Sequence, residues 1–211
     1  MKKLLVLFLL ATSTIFAQDN EANKLLNEVS TKAKSYNNIS IAFKYVLENT
    51  EENIKQETKG DVVMEADKYR LNILGITRIY DGQNIYSISP EDEEVTVSKG
   101  SDQDESTITP SKMLTFYKEG FTFKMDIVQD VSGRKIQYVK LSPMDSNSEI
   151  KYVLLGIDTK TKHIYRLIEV GKNGTKTTLT VNSFKTNETL SKSLFTFDKN
   201  KFKDYYINKL D

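Results

Sequence analysis

From Asn20 the apolar residues fall at Ala22, Leu25, Leu26, Val29, Ala33 and Tyr36. That 3.6-residue spacing predicts one amphipathic helix, and Asp19 or Asn20 is placed to cap its first turn. The period then drops to two, because Ile39, Ile41, Phe43, Tyr45 and Leu47 alternate with Ser40, Ala42, Lys44, Val46 and Glu48. A strand is expected there. Similar runs cover Ile54 to Glu65, Tyr69 to Leu74, Ile76 to Tyr80, Ile85 to Ser89 and Glu94 to Lys99, with short polar or glycine-containing turns between them. After the polar stretch GSDQDESTITP, Thr109 as cap, Pro110 in the first turn and Gly120 at the exit predict a short second helix. Strands resume with Phe121, Phe123, Met125 and Ile127 on one face, then Lys135 to Ser142, Ile150 to Asp158, His163 to Val170 and Thr175 to Lys185.

About eleven neighbouring strands with short turns suit consecutive antiparallel pairing in a strongly curled sheet or barrel, with the two helices over an opening or a face. The class is mainly β with helices. Asp81-Gly82, set between RIY and QNIYSISP, is a hairpin turn, and so is Gly171-Lys172-Asn173-Gly174. The latter is followed by Thr175 and Lys176 but has the wrong glycine spacing, and strand on both sides, for a phosphate loop.

Residues 1–17, MKKLLVLFLLATSTIFA, carry two lysines, an apolar run and a small residue before Gln18, which is the pattern of a secretory signal peptide. Residues 18–211 are then expected to be an exported single domain. Without Lys2 and Lys3 the 30 basic residues fall just below the 29 acidic ones, so no surplus of positive charge suits nucleic acid. With no cysteine there is neither a disulfide framework nor a lipid-attachment thiol, and stability has to come from a core.

Catalytic chemistry has little to stand on. His163 is the one histidine, no GxSxG elbow is present, and zinc would have to be held by carboxylates alone. His163 follows the polar turn DTKTK and reads as a strand-end residue. No EF-hand loop is present, and no pair among the carboxylates stands out as a glycosidase couple. No catalytic residue, metal or cofactor is assigned.

The segment GDVVMEADKYRLNILGITRIYDGQNIYSISPEDEEV resembles the signature region of the outer-membrane lipoprotein carrier proteins, the LolA family. The matching positions are Gly60 and Asp61, Tyr69 and Arg70, Asp81 and Gly82, Tyr86 where tryptophan is common, and Pro90. Ala42-Phe43 after the first helix and Phe195-Thr196-Phe197 near the end agree as well. The resemblance implies an unclosed antiparallel β-barrel whose helices form a lid over a hydrophobic cavity. It implies a monomeric, periplasmic carrier of acylated lipoproteins, not an enzyme, that works between an inner-membrane release transporter and an outer-membrane receptor. A lipid- or lipoprotein-sensing regulatory module of the same fold is the alternative.

Candidates for the cavity lining are Ile41, Phe43, Tyr45, Val62, Met64, Leu71, Ile73, Tyr86, Ile88, Phe123, Met125 and Ile127. Any antiparallel sheet packed on a helix needs such an apolar face, and strand parity alone leaves open which face looks into a cavity. In the family an arginine followed by proline ends the strand after Gly-Asp and is held to govern opening of the lid; Ala66 and Asp67 stand there in this chain. Arg70 and Arg78 are the nearby candidates for gating, against the plain reading of surface arginines at strand ends.

Overall fold

The computed structural model describes residues 20–100 and 114–210. The first helix, α1, runs over 20–34 and buries Ala22, Leu25, Leu26 and Val29 along the stripe that its spacing predicts. Eleven strands follow where alternation places them. They are β1 (Asn38–Asn49), β2 (Ile54–Glu65), β3 (Lys68–Ile73), β4 (Ile76–Tyr80), β5 (Asn84–Ser89), β6 (Glu94–Lys99), β7 (Phe121–Val131), β8 (Arg134–Pro143), β9 (Ile150–Asp158), β10 (Ile164–Gly171) and β11 (Lys176–Thr186). A twelfth, β12 (Tyr206–Lys209), pairs parallel to β6. Its four residues lie in a run broken by charges, too short for a period to show.

The hydrogen-bonded order is β12-β6-β5-β4-β3-β2-β1-β11-β10-β9-β8-β7, an open ladder that starts and ends on different strands. The short helix expected from Pro110 to Gly120 begins outside the described residues. Residues 110–113 lie outside the described residues, and the remainder forms only a 3-10 turn at Phe116–Lys118 before Gly120. The signal peptide also lies outside the described residues.

The chain divides into two compact units. Unit one comprises α1 as far as Ala33, Leu47–Lys55 and Tyr117–Thr178, and so contains β7 to β10. Two polar contacts tie its helix down: the Tyr117 hydroxyl donates to the Leu26 carbonyl at 3.3 Å, and Lys162 Nζ meets Glu28 Oε2 at 2.7 Å. Asn49, buried, organises one end of this unit. Its amide donates to Thr175 Oγ1 and the Asn173 carbonyl, while its oxygen accepts from the N–H groups of Glu51 and Glu52.

Unit two comprises Lys34–Val46, Gln56–Phe116 and Leu179–Asp211, and contains β3 to β6, β12 and most of β1, β2 and β11. Buried Asn38 pins the chain after β11 to the start of β1, exchanging two 2.9 Å hydrogen bonds with the Glu188 backbone. Such paired bonds satisfy a buried amide that would otherwise cost stability.

Candidate functional site

In unit two the ladder register decides which apolar side chains share a face. Val62 stands opposite Leu71, Met64 opposite Tyr69, and Leu71 in turn opposite Arg78. Residues directly opposite in an antiparallel pair point to the same side, so Val62, Met64, Tyr69, Leu71 and Ile73 form one surface. Phe43 joins it, because a Cβ built on Gly60, two residues before Val62, would lie 2.6 Å from the Phe43 Cζ. Glycine at 60 is what leaves room for that ring. Ile41 and Tyr45 share the side of Phe43 by strand alternation. On this Phe43 face, Ile41, Phe43, Val62, Met64 and Tyr69 are buried, whereas Tyr45, Leu71 and Ile73 are half-buried.

Tyr86 and Ile88 lie on the other face. Tyr86 is opposite Ile79 and Val97, and Ile88 is opposite Thr77 and Val95. There Ile79, Ile88 and Val95 form a buried cluster against which Tyr86, Val97, Phe197, Phe202, Tyr205 and Ile207 pack. The Tyr86 and Phe197 rings stack at 4.6 Å between centroids, Phe197 stacks on Phe202 at 5.4 Å, and Phe202 meets Tyr205 edge-on at 5.2 Å. Offset and edge-on pairs of this kind are favoured by the ring quadrupoles. The chain's own C-terminal segment therefore occupies the Tyr86 face.

The Asp81-Gly82 turn completes this arrangement. Asp81 Oδ1 accepts from the N–H groups of Gln83 at 2.8 Å and Asn84 at 2.7 Å, and its Oδ2 accepts from the Tyr86 hydroxyl at 3.2 Å. Gly82 takes φ +101°, a value that side chains avoid. Burial and the adjacent Asp81 carboxylate hold the Tyr86 phenol above its ordinary pKa. The hairpin is thus a structural anchor for the aromatic stack.

The two arginine candidates part in the same way. Arg70 pairs with Val63 and Ile79, on the Tyr86 face; Arg78 pairs with Leu71 and Ser87, on the Phe43 face, where its Nε donates to Ser87 Oγ at 3.3 Å. Ala66 and Asp67, at the family's arginine-proline position, make the two-residue turn between β2 and β3, with Ala66 at φ +54°.

Unit one has its own apolar face, built in rows across four strands. Phe123, Leu141, Val153 and Glu169 stand in one transverse row, and Met125, Val139, Leu155 and Leu167 in the next. Val139, Leu141, Val153 and Leu155 are at most 1% exposed, while Phe123 and Met125, on the edge strand, are half-buried. The register slips after Met125, so Asp126 and Ile127 together oppose Tyr138 in a β-bulge. Gln137 donates to the Asp126 and Tyr138 carbonyls at 2.8 Å each, supplying the bulge with a hydrogen bond that the ladder does not. Ile127, at 55% exposure, is turned out of the row in which alternation placed it.

Polar features elsewhere are scaffolding in form. Burial raises the Asp158 carboxyl, but the N–H groups of Thr161 and Lys160 outweigh it and leave it below the usual carboxylate range. His163 is half-buried, and burial and Lys32 lower its pKa. A cleft of about 440 Å³ beside the Asp81 turn is lined by Glu65, Lys68, Asp81 and Lys192 among others, which makes it polar and separate from the Phe43 face. Among the described residues no group of three or more His, Asp or Glu side chains could hold a metal ion, and no helix is long and apolar enough to cross a membrane.

Two features escape a reading of the sequence. The Phe197-Phe202-Tyr205 stack lies past the last strand with a recognisable period, and only the density of aromatics between 195 and 206 marks it. Glu169 reads as the polar partner in an alternating strand until the register puts it in line with Val153.

Comparison with known proteins places this arrangement. No curated protein matches the sequence. Among solved structures, an uncharacterised conserved protein from Thermus thermophilus superposes with a TM-score of 0.56 at 11% identity, covering 90% of this chain and 99% of that one. A LolA superfamily protein from Nitrosomonas europaea gives 0.43 at 10% identity, with 84% and 98% covered. The lipoprotein LppX of Mycobacterium tuberculosis gives 0.45 at 15% identity, with 80% and 98% covered. The family model for the outer membrane lipoprotein carrier protein LolA matches residues 34–198, and the chain therefore belongs to the LolA family.

Proposed function

We propose that this chain is a periplasmic carrier that takes the acyl chains of lipoproteins onto the Phe43 face and ferries them from the inner to the outer membrane. Residues 18–211 act as the carrier domain once the signal peptide is removed. The observation that carries the reading, beside membership of the LolA family, is the gradient on that face: buried Phe43, Val62 and Met64 give way to half-buried Tyr45, Leu71 and Ile73. Aliphatic and aromatic side chains that still meet solvent are what an acyl chain would cover.

A lipid anchor of three chains has on the order of 45 methylenes at ~0.8 kcal/mol each, roughly 36 kcal/mol if all were exposed to water. Cargo of that kind crosses an aqueous compartment only when covered. Release needs a partner or membrane that binds the chains better still, and a face without tight polar clamps allows it. An inner-membrane release transporter and an outer-membrane receptor are the partners that this route requires. Arg78, on the Phe43 face, is the better candidate for gating; Arg70 lies behind it.

The test is transfer of an acylated lipoprotein from membranes to the purified soluble protein. Ile73→Glu, which puts a charge where an acyl chain would lie, is expected to abolish acceptance while its thermal unfolding stays cooperative. Equal acceptance by wild type and Ile73→Glu, or no acceptance by wild type, would remove the reading.

A further inference from the structure

The hairpin between β3 and β4 turns on residues that suit neither its backbone nor its surroundings. Ile73 pairs with Ile76, and Leu74 and Gly75 join them at φ +53° and +77°. A two-residue turn with positive φ at both central positions is served best by asparagine and glycine. A bulky apolar residue in the left-handed region is strained. Leu74 is also 52% exposed and Ile76 40%. A Cβ built on Gly75 would meet nothing within 4 Å, so the turn stands clear of the rest of the chain. Among the described residues seven other than glycine take positive φ: Asn53, Glu93, Ser132, Lys162 and Asn187 are polar, Ala66 is small, and Leu74 alone presents a large apolar side chain. Strain and exposure thus fall on one residue, and asparagine there would relieve both.

We propose that this tip is a membrane contact, through which Leu74 and Ile76 enter the interfacial region of a lipid bilayer. The inference goes beyond the carrier reading and does not depend on it. A narrow convex tip suits a fluid surface, because lipid closes around each side chain and removes its apolar area from water. The tip offers a protein partner neither a charge nor a side-chain hydrogen bond to fix its orientation, whereas a bilayer requires neither. Charges at this end of the ladder are mixed: Glu91, Asp92 and Glu93 lie in the turn after β5, whose Ile88 pairs with Thr77, and Arg78 follows the tip in β4. No basic cluster selects anionic lipid, so the apolar side chains carry the contact. Two of them give a weak, reversible one.

The chain has no tryptophan, so Leu74→Trp places a single reporter at the tip. Its emission is expected to shift to shorter wavelength with phosphatidylcholine vesicles, to be quenched by bromine on their acyl chains, and to shift no further when phosphatidylglycerol is added. Leu74→Asn suits the turn and is expected to melt above wild type, yet to cosediment with the same vesicles about tenfold more weakly, the weight of one leucine side chain. The vesicles hold no lipoprotein, which keeps the outcome apart from cargo acceptance. Cosedimentation of Leu74→Asn equal to that of wild type overturns the proposal. So does a Leu74→Trp emission that vesicles leave unmoved, and the tip then belongs to a protein partner.

Discussion

The two faces of the β2 to β6 ladder in unit two are written in the same alphabet of alternating apolar residues, yet they end differently covered. On one, Ile79, Ile88 and Val95 are sealed under Phe197, Phe202 and Tyr205 from the chain's own C-terminal segment. On the other, Phe43, Val62 and Met64 are buried but Leu71 and Ile73 stay half-open. A hydrophobic strand face becomes core when the chain supplies its own cover, and under the proposed function the Phe43 face takes its cover from cargo. Alternation alone does not separate these outcomes, because it records period and not occupancy.

The comparison breaks first if the seal can be removed without unfolding. Phe197→Ala deletes the ring that stacks on both Tyr86 and Phe202, and it is expected to cost about 2–4 kcal/mol, the lower range for a half-buried aromatic. Chemical denaturation reads this directly. The surviving folded fraction should accept acyl cargo as wild type does, if cargo lies on the Phe43 face as proposed; loss of acceptance in proportion to ring removal would put the Tyr86 face back into the site.

The Phe43 face is tested more finely by Gly60→Ala. The added methyl would lie 2.6 Å from Phe43 Cζ and 2.7 Å from the Asn72 carbonyl oxygen, so ring and backbone both have to shift. A cost of about 1–3 kcal/mol is expected from overpacking of this kind. Because the shift falls on the Phe43 face, cargo acceptance should drop together with stability. Glycine at 60 would be dispensable to the site if only stability changed.

How much of this was legible beforehand follows from what each signal measures. Alternation located eleven strands, because burial on one side writes a period of two, and the helical stripe at Ala22, Leu25, Leu26 and Val29 was equally plain. It missed β12, where four residues among charges pair in parallel with β6. Of the candidate lining residues, Ile41, Phe43, Tyr45, Val62, Met64, Leu71 and Ile73 come together on one face, while Tyr86 and Ile88 fall behind it. The sorting depends on which residues lie opposite one another, and that is fixed by turns such as Ala66-Asp67 and Asp81-Gly82. A one-residue difference in either loop would have exchanged the two sets.

A smaller effect concerns binding without core damage. Leu71→Glu, at a half-buried position opposite Val62 and Arg78, is expected to weaken acyl-probe affinity about tenfold, roughly 1.4 kcal/mol. Tyr206→Glu, on the exposed edge strand of the same unit, serves as the control and should leave affinity unchanged. Equal losses in the two variants would mean that added negative charge, and not the face, governs binding.

The smallest effect is a matter of sign. Burial raises the Glu169 carboxyl above its ordinary 4.5, so the native state holds that proton to a higher pH than the unfolded chain does. Between the two values the native state binds more protons, and stability falls as pH rises through that window. The penalty is fully present above it and absent below 4.5. Asp158 and Glu28 have the opposite sign, since both are held below their ordinary values and lose stability as pH falls, but they are common to wild type and variant and cancel in the difference. Glu169→Gln should therefore melt slightly above wild type at pH 8, and the gap should close as pH drops past the window. If the variant melts below wild type at pH 8, Glu169 has a stabilising partner in the folded chain.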